Sequence, residues 1–266
     1  MDFQHWIHLS ETDFHRLLKR RIAETGEIGD VFPLMVGHNL PHHLLRKLWP
    51  ERWTRFAENP GWIAFAAAET GWRGRVENID SRIRSDAKGQ VLHFKKSHVI
   101  TSDVMLILAK CDQDLALAFV PRSESQNWRT RGEPGVQMRS SDGALFDHHH
   151  VEGEQRLARD DFIRIDKKTY ARFGIQLPRR ELTSLAVIAL GLLEHHGVNF
   201  ASDLNRIHER ESRVLKSRER ERIGRADADA AEEILNFFYA KIQEADIRPH
   251  PFWERVRELM TGRPKN

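Results

Sequence analysis

Cysteine is nearly absent from this chain. The single residue, Cys111, cannot close an internal disulfide, and it excludes a multi-cysteine zinc site or an iron–sulfur cluster. Long apolar runs are missing too. The longest, LAVIALGLL from Leu185 to Leu193, falls far short of the ~20 residues that span a bilayer. The first residues, MDFQHWIHLS, carry no basic-then-apolar leader pattern. Together these absences predict a cytoplasmic protein with no membrane association. No phosphate-binding P-loop, no G-x-G-x-x-G following a strand and no H-E-x-x-H occurs, which disfavours enzymes built on those devices. Repeats of fixed period and low-complexity tracts are likewise missing.

What is present points to a folded protein. The 266 residues are 40% hydrophobic and 30% charged, with seven Trp and fourteen Phe, enough apolar mass for one compact unit with sub-regions. The net charge is only +3, but it is unevenly spread. Residues 71–98 hold seven Lys/Arg against three Asp/Glu, residues 122–139 four against two, and residues 206–225 eight against four. If folding gathers these stretches on one face, they form an electropositive footprint for a phosphate-bearing partner. The competing reading is a set of Arg/Glu-rich solvated helix faces.

The pattern predicts an α+β fold: a helical N-terminal region (1–88), a central, mostly antiparallel β layer (89–174) and a helical C-terminal region (175–266). Ser10 with Asp13 marks a helix start, and Phe14, Leu17, Leu18 and Ile22 recur at helical spacing until Gly26. Pro41, Pro50 and Pro60 sit where short helices begin. Val76, Ile79 and Ile83 suggest one further helix before Gly89. After Gly89 the texture changes to short apolar runs, QVLHFKKSHVI, DVMLILAKC and LALAFVP, divided by turn residues, which read as strands. VQMRSSDGALFD is a hairpin candidate turning at Asp142-Gly143. From Arg179 a nearly all-apolar helix runs to Gly197. A sparse, charged segment from Phe200 to Ile223 follows, predicted to project from the body and to offer a docking surface for a protein partner.

Two constellations could carry chemistry. DHHHVEGE, Asp147 to Glu154, concentrates metal-ligating groups. In a strand, His148, His150 and Glu152 share one face, with Asp147, His149 and Val151 on the other. The expected metal ligands are therefore Asp147, His148, His150 and Glu152. The spacing His148-x-His150-x-x-x-Glu154 resembles the first metal motif of the cupin barrels. Further on, DDFIRIDKK ends in Asp166-x-Lys168, nineteen residues beyond Asp147. This resembles the acidic-x-Lys pattern of the restriction-endonuclease-like nucleases. The resemblance implies Asp147 and Asp166 as ligands of Mg or Mn, with Zn a lesser alternative, and Lys168 as the group that assists the attacking hydroxide.

Aromatic residues interleaved with Arg suit single-stranded nucleic acid, because a base stacks on indole while guanidinium groups take phosphates. GWRGR supplies Trp72, Arg73 and Arg75; SQNWRTRG supplies Trp128, Arg129 and Arg131. Arg213, Lys216, Arg218 and Arg222 extend the basic set. The leading expectation is thus a nucleic-acid-binding protein. A metal-dependent nuclease using Asp147, Asp166 and Lys168 is the alternative, and a protein–protein adaptor without a nucleic-acid role is a third reading.

Overall fold

In the computed structural model, residues 6–69, 76–100, 102–123, 128–132, 137–143, 145–146, 148–198, 203–220 and 222–261 are described. The chain is α+β, with helices at both ends of the sequence around a mixed sheet, and it divides into two compact units. One unit comprises residues 1–7, 36–137 and 146–175; the other comprises residues 8–35, 138–145 and 176–266.

The first unit is built on an eight-stranded sheet. Its strands are β1 (Ile63–Ala66), β2 (Arg82–Asp86), β3 (Gly89–Ile100), β4 (Val104–Cys111), β5 (Asp114–Pro121), β6 (Arg129–Gly132), β9 (His148–Leu157) and β10 (Phe162–Ile165). The order is β10-β5-β4-β2-β3-β9-β6, antiparallel except where β4 pairs in parallel with β2. β1 also pairs in parallel with β4, Ile63 opposite Val104 through Ala66 opposite Ile107. β2 meets the far end of the same strand, Arg82 opposite Lys110 and Ile83 opposite Cys111. With β5 on its other edge, β4 therefore carries β1 and β2 end to end along one side. Leu92, Phe94, Ile107, Ala109, Ala116, Ala118 and Val151 form the core, with Trp128 and Phe162 packed against it. Alternating burial in β3 and near-continuous burial in β4 and β5 follow from their positions, since central strands covered on both faces read as apolar runs.

Two strands fall inside the segment that the sequence pattern predicts to be helical. The expected helix over Val76, Ile79 and Ile83 is a 3₁₀ turn, Val76–Asn78, followed by β2. Ile79 and Ile83 are both buried, Ile83 in the sheet's core: a spacing of three or four apolar residues is equally produced by a turn that leads into a strand.

The short helices α2 (Phe32–Gly37), α3 (His43–Leu48) and α4 (Pro50–Glu58) follow one another closely, with a single π turn, His38–His42, before α3. His42 is buried there, stacked on Trp6 at 5.1 Å and flanked by Trp53 and Phe56. Burial, with the His38 and Arg46 charges, holds its imidazole well below the usual histidine range, so it is neutral.

The second unit is helical: α1 (Glu11–Thr25), most of α5 (Lys167–His195), α6 (Leu204–Arg218), α7 (Arg225–Glu244) and α8 (Phe252–Thr261). Ser10 caps α1 by accepting from the Asp13 amide, and Gly26 ends it with φ +69°, as the sequence pattern predicts. The predicted hairpin at Asp142-Gly143 forms as the two-stranded ribbon β7 (Met138–Arg139) and β8 (Leu145–Phe146). α6 does not project. It packs along α7 and against α1, and Arg210 and Arg213 pair with Glu233 and Asp227 of α7. A stripe as sparse as Ile207 and Val214 suffices because these ion pairs line its margins.

Gly191 lets α5 approach α1 closely: a Cβ there would lie 2.4 Å from the Lys19 carbonyl oxygen and 2.5 Å from the Ile22 side chain. Gly174, in the same helix, faces open space. Gly191→Ala is therefore expected to lower stability by ~1–3 kcal/mol through overpacking. Gly174→Ala should raise it by ~0.4–1 kcal/mol through helix propensity and a less flexible unfolded chain. Urea midpoints of the two variants check the opposite signs.

Candidate functional site

The opening motif of interest lies on β9. His148, His150, Glu152 and Glu154 alternate with His149, Val151 and Gly153, so the face-sharing inferred from the sequence is the observed one. What these residues meet across the ladder differs from a metal site. Glu154 pairs with His93 Nδ1 at 2.8 Å, and Glu152 lies 3.9 Å from both Lys95 Nζ and Arg129 Nη1. Arg131 stands opposite His150. The face is a charge-alternating sheet surface over an open cleft of about 570 Å³ lined by His93, Lys95, Arg129, Glu152 and Glu154. Glu152 lies between two basic side chains, and Glu154 faces the single imidazole of His93. Among the described residues, no group of three or more His, Cys, Asp or Glu is placed to hold a metal ion. Asp147 lies outside the described residues, as do Trp72, Arg73 and Arg75.

Asp166 and Lys168 flank the start of α5. Asp166 Oδ1 accepts from the Thr169 amide at 2.9 Å and its Oδ2 from the Thr169 hydroxyl at 2.6 Å. These bonds hold its carboxyl below the usual range and identify it as a helix cap. Lys168 is exposed in the first turn. Arg129 and Arg131 are exposed on the edge strand β6, and Lys216 and Arg222 are exposed in the other unit. Arg213 is tied to Asp227. Arg218 is not a surface cation at all: it is 1% exposed, and its guanidinium donates to the Arg180 carbonyl, the Thr183 hydroxyl and Glu11. Helical periodicity hid this, because Val214 and Arg218 share a face and the arginine takes the buried position.

Beneath the sheet surface lies a buried ion pair. Lys96 Nζ meets Glu69 Oε1 at 2.6 Å with both side chains almost fully enclosed, and it also donates to the Ala67 carbonyl at 3.3 Å. Glu69 further accepts from the Asp80 and Ser81 amides. Burial pulls the Lys96 ammonium down to about 8, against the opposing pull of Glu69. Beyond this pair β3 is interrupted by a bulge between Lys96 and Val99, where His98 takes φ +57°. The interruption opens a narrow crevice lined by Val99, Ser102, Arg122, Trp128, Thr130 and His149. The Trp128 indole N–H is enclosed there without a hydrogen-bond acceptor among the described residues, an open demand for one.

In the helical unit, Glu181 of α5 was not singled out by the sequence reading. Burial pushes its carboxyl up to about 7, and no acid–base partner opposes the shift. No hydrogen bond or ion pair engages it among the described residues. It is half-buried, hence both perturbed and reachable, the combination that marks proton-transfer groups. The signal was in the sequence: Glu181 stands four residues before Leu185, on a face otherwise apolar.

No family model and no curated protein matches the chain. Solved structures do. The chain is similar to a glutaryl-CoA dehydrogenase from Mycobacterium smegmatis in complex with FADH2, at 12% identity and TM-score 0.63, over 92% of this chain and 73% of that one. It is similar to butyryl-CoA dehydrogenase from Megasphaera elsdenii at 11% identity and TM-score 0.66, over 88% and 71%. PigA with FAD and proline matches at 13% identity and TM-score 0.63, over 88% and 72%. The fold is therefore that of acyl-CoA dehydrogenase domains. This likeness overturns the expectations of a nucleic-acid partner, a nuclease activity and a Mg, Mn or Zn centre: the similar structures are CoA-ester dehydrogenases and PigA, two of them holding FADH2 or FAD. The adaptor reading through residues 200–223 loses its basis as well, because α6 spends its apolar stripe on α1 and α7. Among the described residues, no helix is long and apolar enough to cross a membrane.

Removing one partner of the buried pair leaves a charge stranded. Glu69→Ala is expected to cost ~3–5 kcal/mol, whereas Glu69→Gln combined with Lys96→Met should cost markedly less than the sum of the single changes. A double-mutant cycle in urea measures the coupling.

Proposed function

We propose that the protein is a flavin-dependent dehydrogenase acting on an acyl thioester, with Glu181 as the proton-accepting group. The observation that carries this reading is the match of about nine-tenths of the chain to CoA-ester dehydrogenases of the same fold. Low identity leaves the chemistry to this chain's own residues, and one feature supports it.

The narrow crevice beside the β3 bulge, of about 10 Å³, has room for a single water at the Trp128 indole N–H and not for an isoalloxazine, so none of its residues is assigned to the flavin, which when bound would supply a two-electron acceptor for hydride.

The supporting feature is Glu181. A thioester carbonyl acidifies the adjacent C–H, so dehydrogenation there needs a base whose basicity is raised above that of an ordinary carboxylate. Glu181 has that property by desolvation, without being wholly enclosed. The single buried thiol, Cys111, fits a cytoplasmic setting.

The test is direct. Purified protein reconstituted with FAD should show flavin absorbance and bleach on anaerobic addition of a short-chain acyl-CoA; absence of flavin binding refutes the reading. Glu181→Gln should retain flavin while turnover falls ~10²–10⁴-fold. Because the base must be ionised, turnover should rise from pH 6 to pH 8 with a midpoint near the Glu181 value of about 7, and a flat profile would remove Glu181 from the role.

A further inference from the structure

A second cleft, of about 480 Å³, lies in the sheet-containing unit. α4 forms one wall with Arg52, Arg55 and Phe56; Asn59 to Gly61 form the end; Asp103, Val104 and Phe119 form the opposite wall. Its floor is apolar, the Phe56 and Phe119 rings meeting edge to face at 6.1 Å.

The charges on its rim are held unequally. Arg52 is immobilised: its guanidinium sits 5.0 Å over Trp49 and 4.8 Å over Phe119, and it donates to the Asp160 carbonyl and to Asp161. Its Nε–H has no acceptor among the described residues. Arg55, one turn further along the helix, is exposed, and its side chain's one hydrogen bond is a long one to the Glu51 carbonyl, at 3.5 Å. No carboxylate neutralises it among the described residues. Burial and the Arg55 charge together depress Arg52 below its ordinary value, against the opposing pull of Asp161 and Asp160. Across the cleft, Asp103 is fixed as firmly. Its Oδ2 accepts from the Trp62 amide at 2.8 Å, while its own backbone bonds Trp62 and Arg122. The close approach needs Gly61, where a Cβ would lie 2.8 Å from Asp103 Oδ2.

A rigid apolar floor, the guanidinium of Arg55 without a carboxylate partner among the described residues on one rim, and a fixed carboxylate on the other select for charge and shape at once. An anionic head is attracted by Arg55, a second negative charge is repelled by Asp103, and an apolar body covers the phenyl rings. We propose that this cleft binds a small organic monocarboxylate with an apolar body, its head held by Arg55 in the field of Arg52 and its body laid on Phe56 and Phe119. The assignment is independent of the flavin reading, since Glu181 is not among the residues of this cleft.

Calorimetric titration of the full chain with phenylacetate, phenyl phosphate and 2-phenylethanol tests it. Phenylacetate should bind at one saturable site, with the phosphate and the alcohol each at least tenfold weaker. Arg55→Gln should weaken phenylacetate at least tenfold, and Arg55→Lys should restore part of the loss; the position is exposed, so an unchanged melting temperature verifies that both variants fold. Absence of saturable phenylacetate binding, an affinity unchanged in Arg55→Gln, or equal binding of the phosphate or the alcohol would each overturn the proposal.

Discussion

The sheet-bearing unit depends on one contact, the enclosed meeting of Lys96 with Glu69. β1 and β2 lie end to end along β4, and the chain between them has to leave the sheet and return without orphaning its backbone groups. Glu69 and Lys96 fill that break: the carboxylate accepts the Asp80 and Ser81 amides, and the ammonium holds the Ala67 carbonyl. Ser81 then bonds β3 and β4 through its hydroxyl and carbonyl, and Ser97 bonds the Ala68 carbonyl. A buried ion pair yields little net stability against an apolar replacement, but it has few competing arrangements. Its value here is in specifying where one row of strands ends and the next begins.

The same economy is visible in the helical unit. Glu11 receives Arg180 and Arg218 in an enclosed cluster that joins α1, α5 and α6. The burial of two guanidinium groups against one carboxylate pulls Arg218 down to about 9. In both units buried charge fixes register, while the apolar residues around it supply the driving force. Glu181, one residue from Arg180, is the exception: a carboxyl desolvated without a partner. A group left in that state costs stability.

The helix and strand elements were largely legible along the chain. Ser10 and Gly26 bounded α1, the alternation in QVLHFKKSHVI marked β3, and Asp142-Gly143 turned a ribbon. The site was not legible. Asp166 and Lys168 share an acidic-x-Lys spacing with nucleases, but in three dimensions the aspartate closes the first turn of a helix. His148 and His150 share a face as alternation requires, yet across the ladder Ile100 stands opposite His148 and Arg131 opposite His150. Spacing along one strand carries no information about which residues stand opposite, and a metal site is made from both.

The sequence by itself determined the local structure and the α+β class, because caps, turns and apolar periodicity act within a few residues of the chain. Only the tertiary structure decided which charges are buried. It set Lys96 against Glu69, withdrew Arg218 from the surface and left Glu181 without a partner. Those outcomes depend on contacts between residues far apart in sequence, where desolvation, not residue type, determines what a charged group can do.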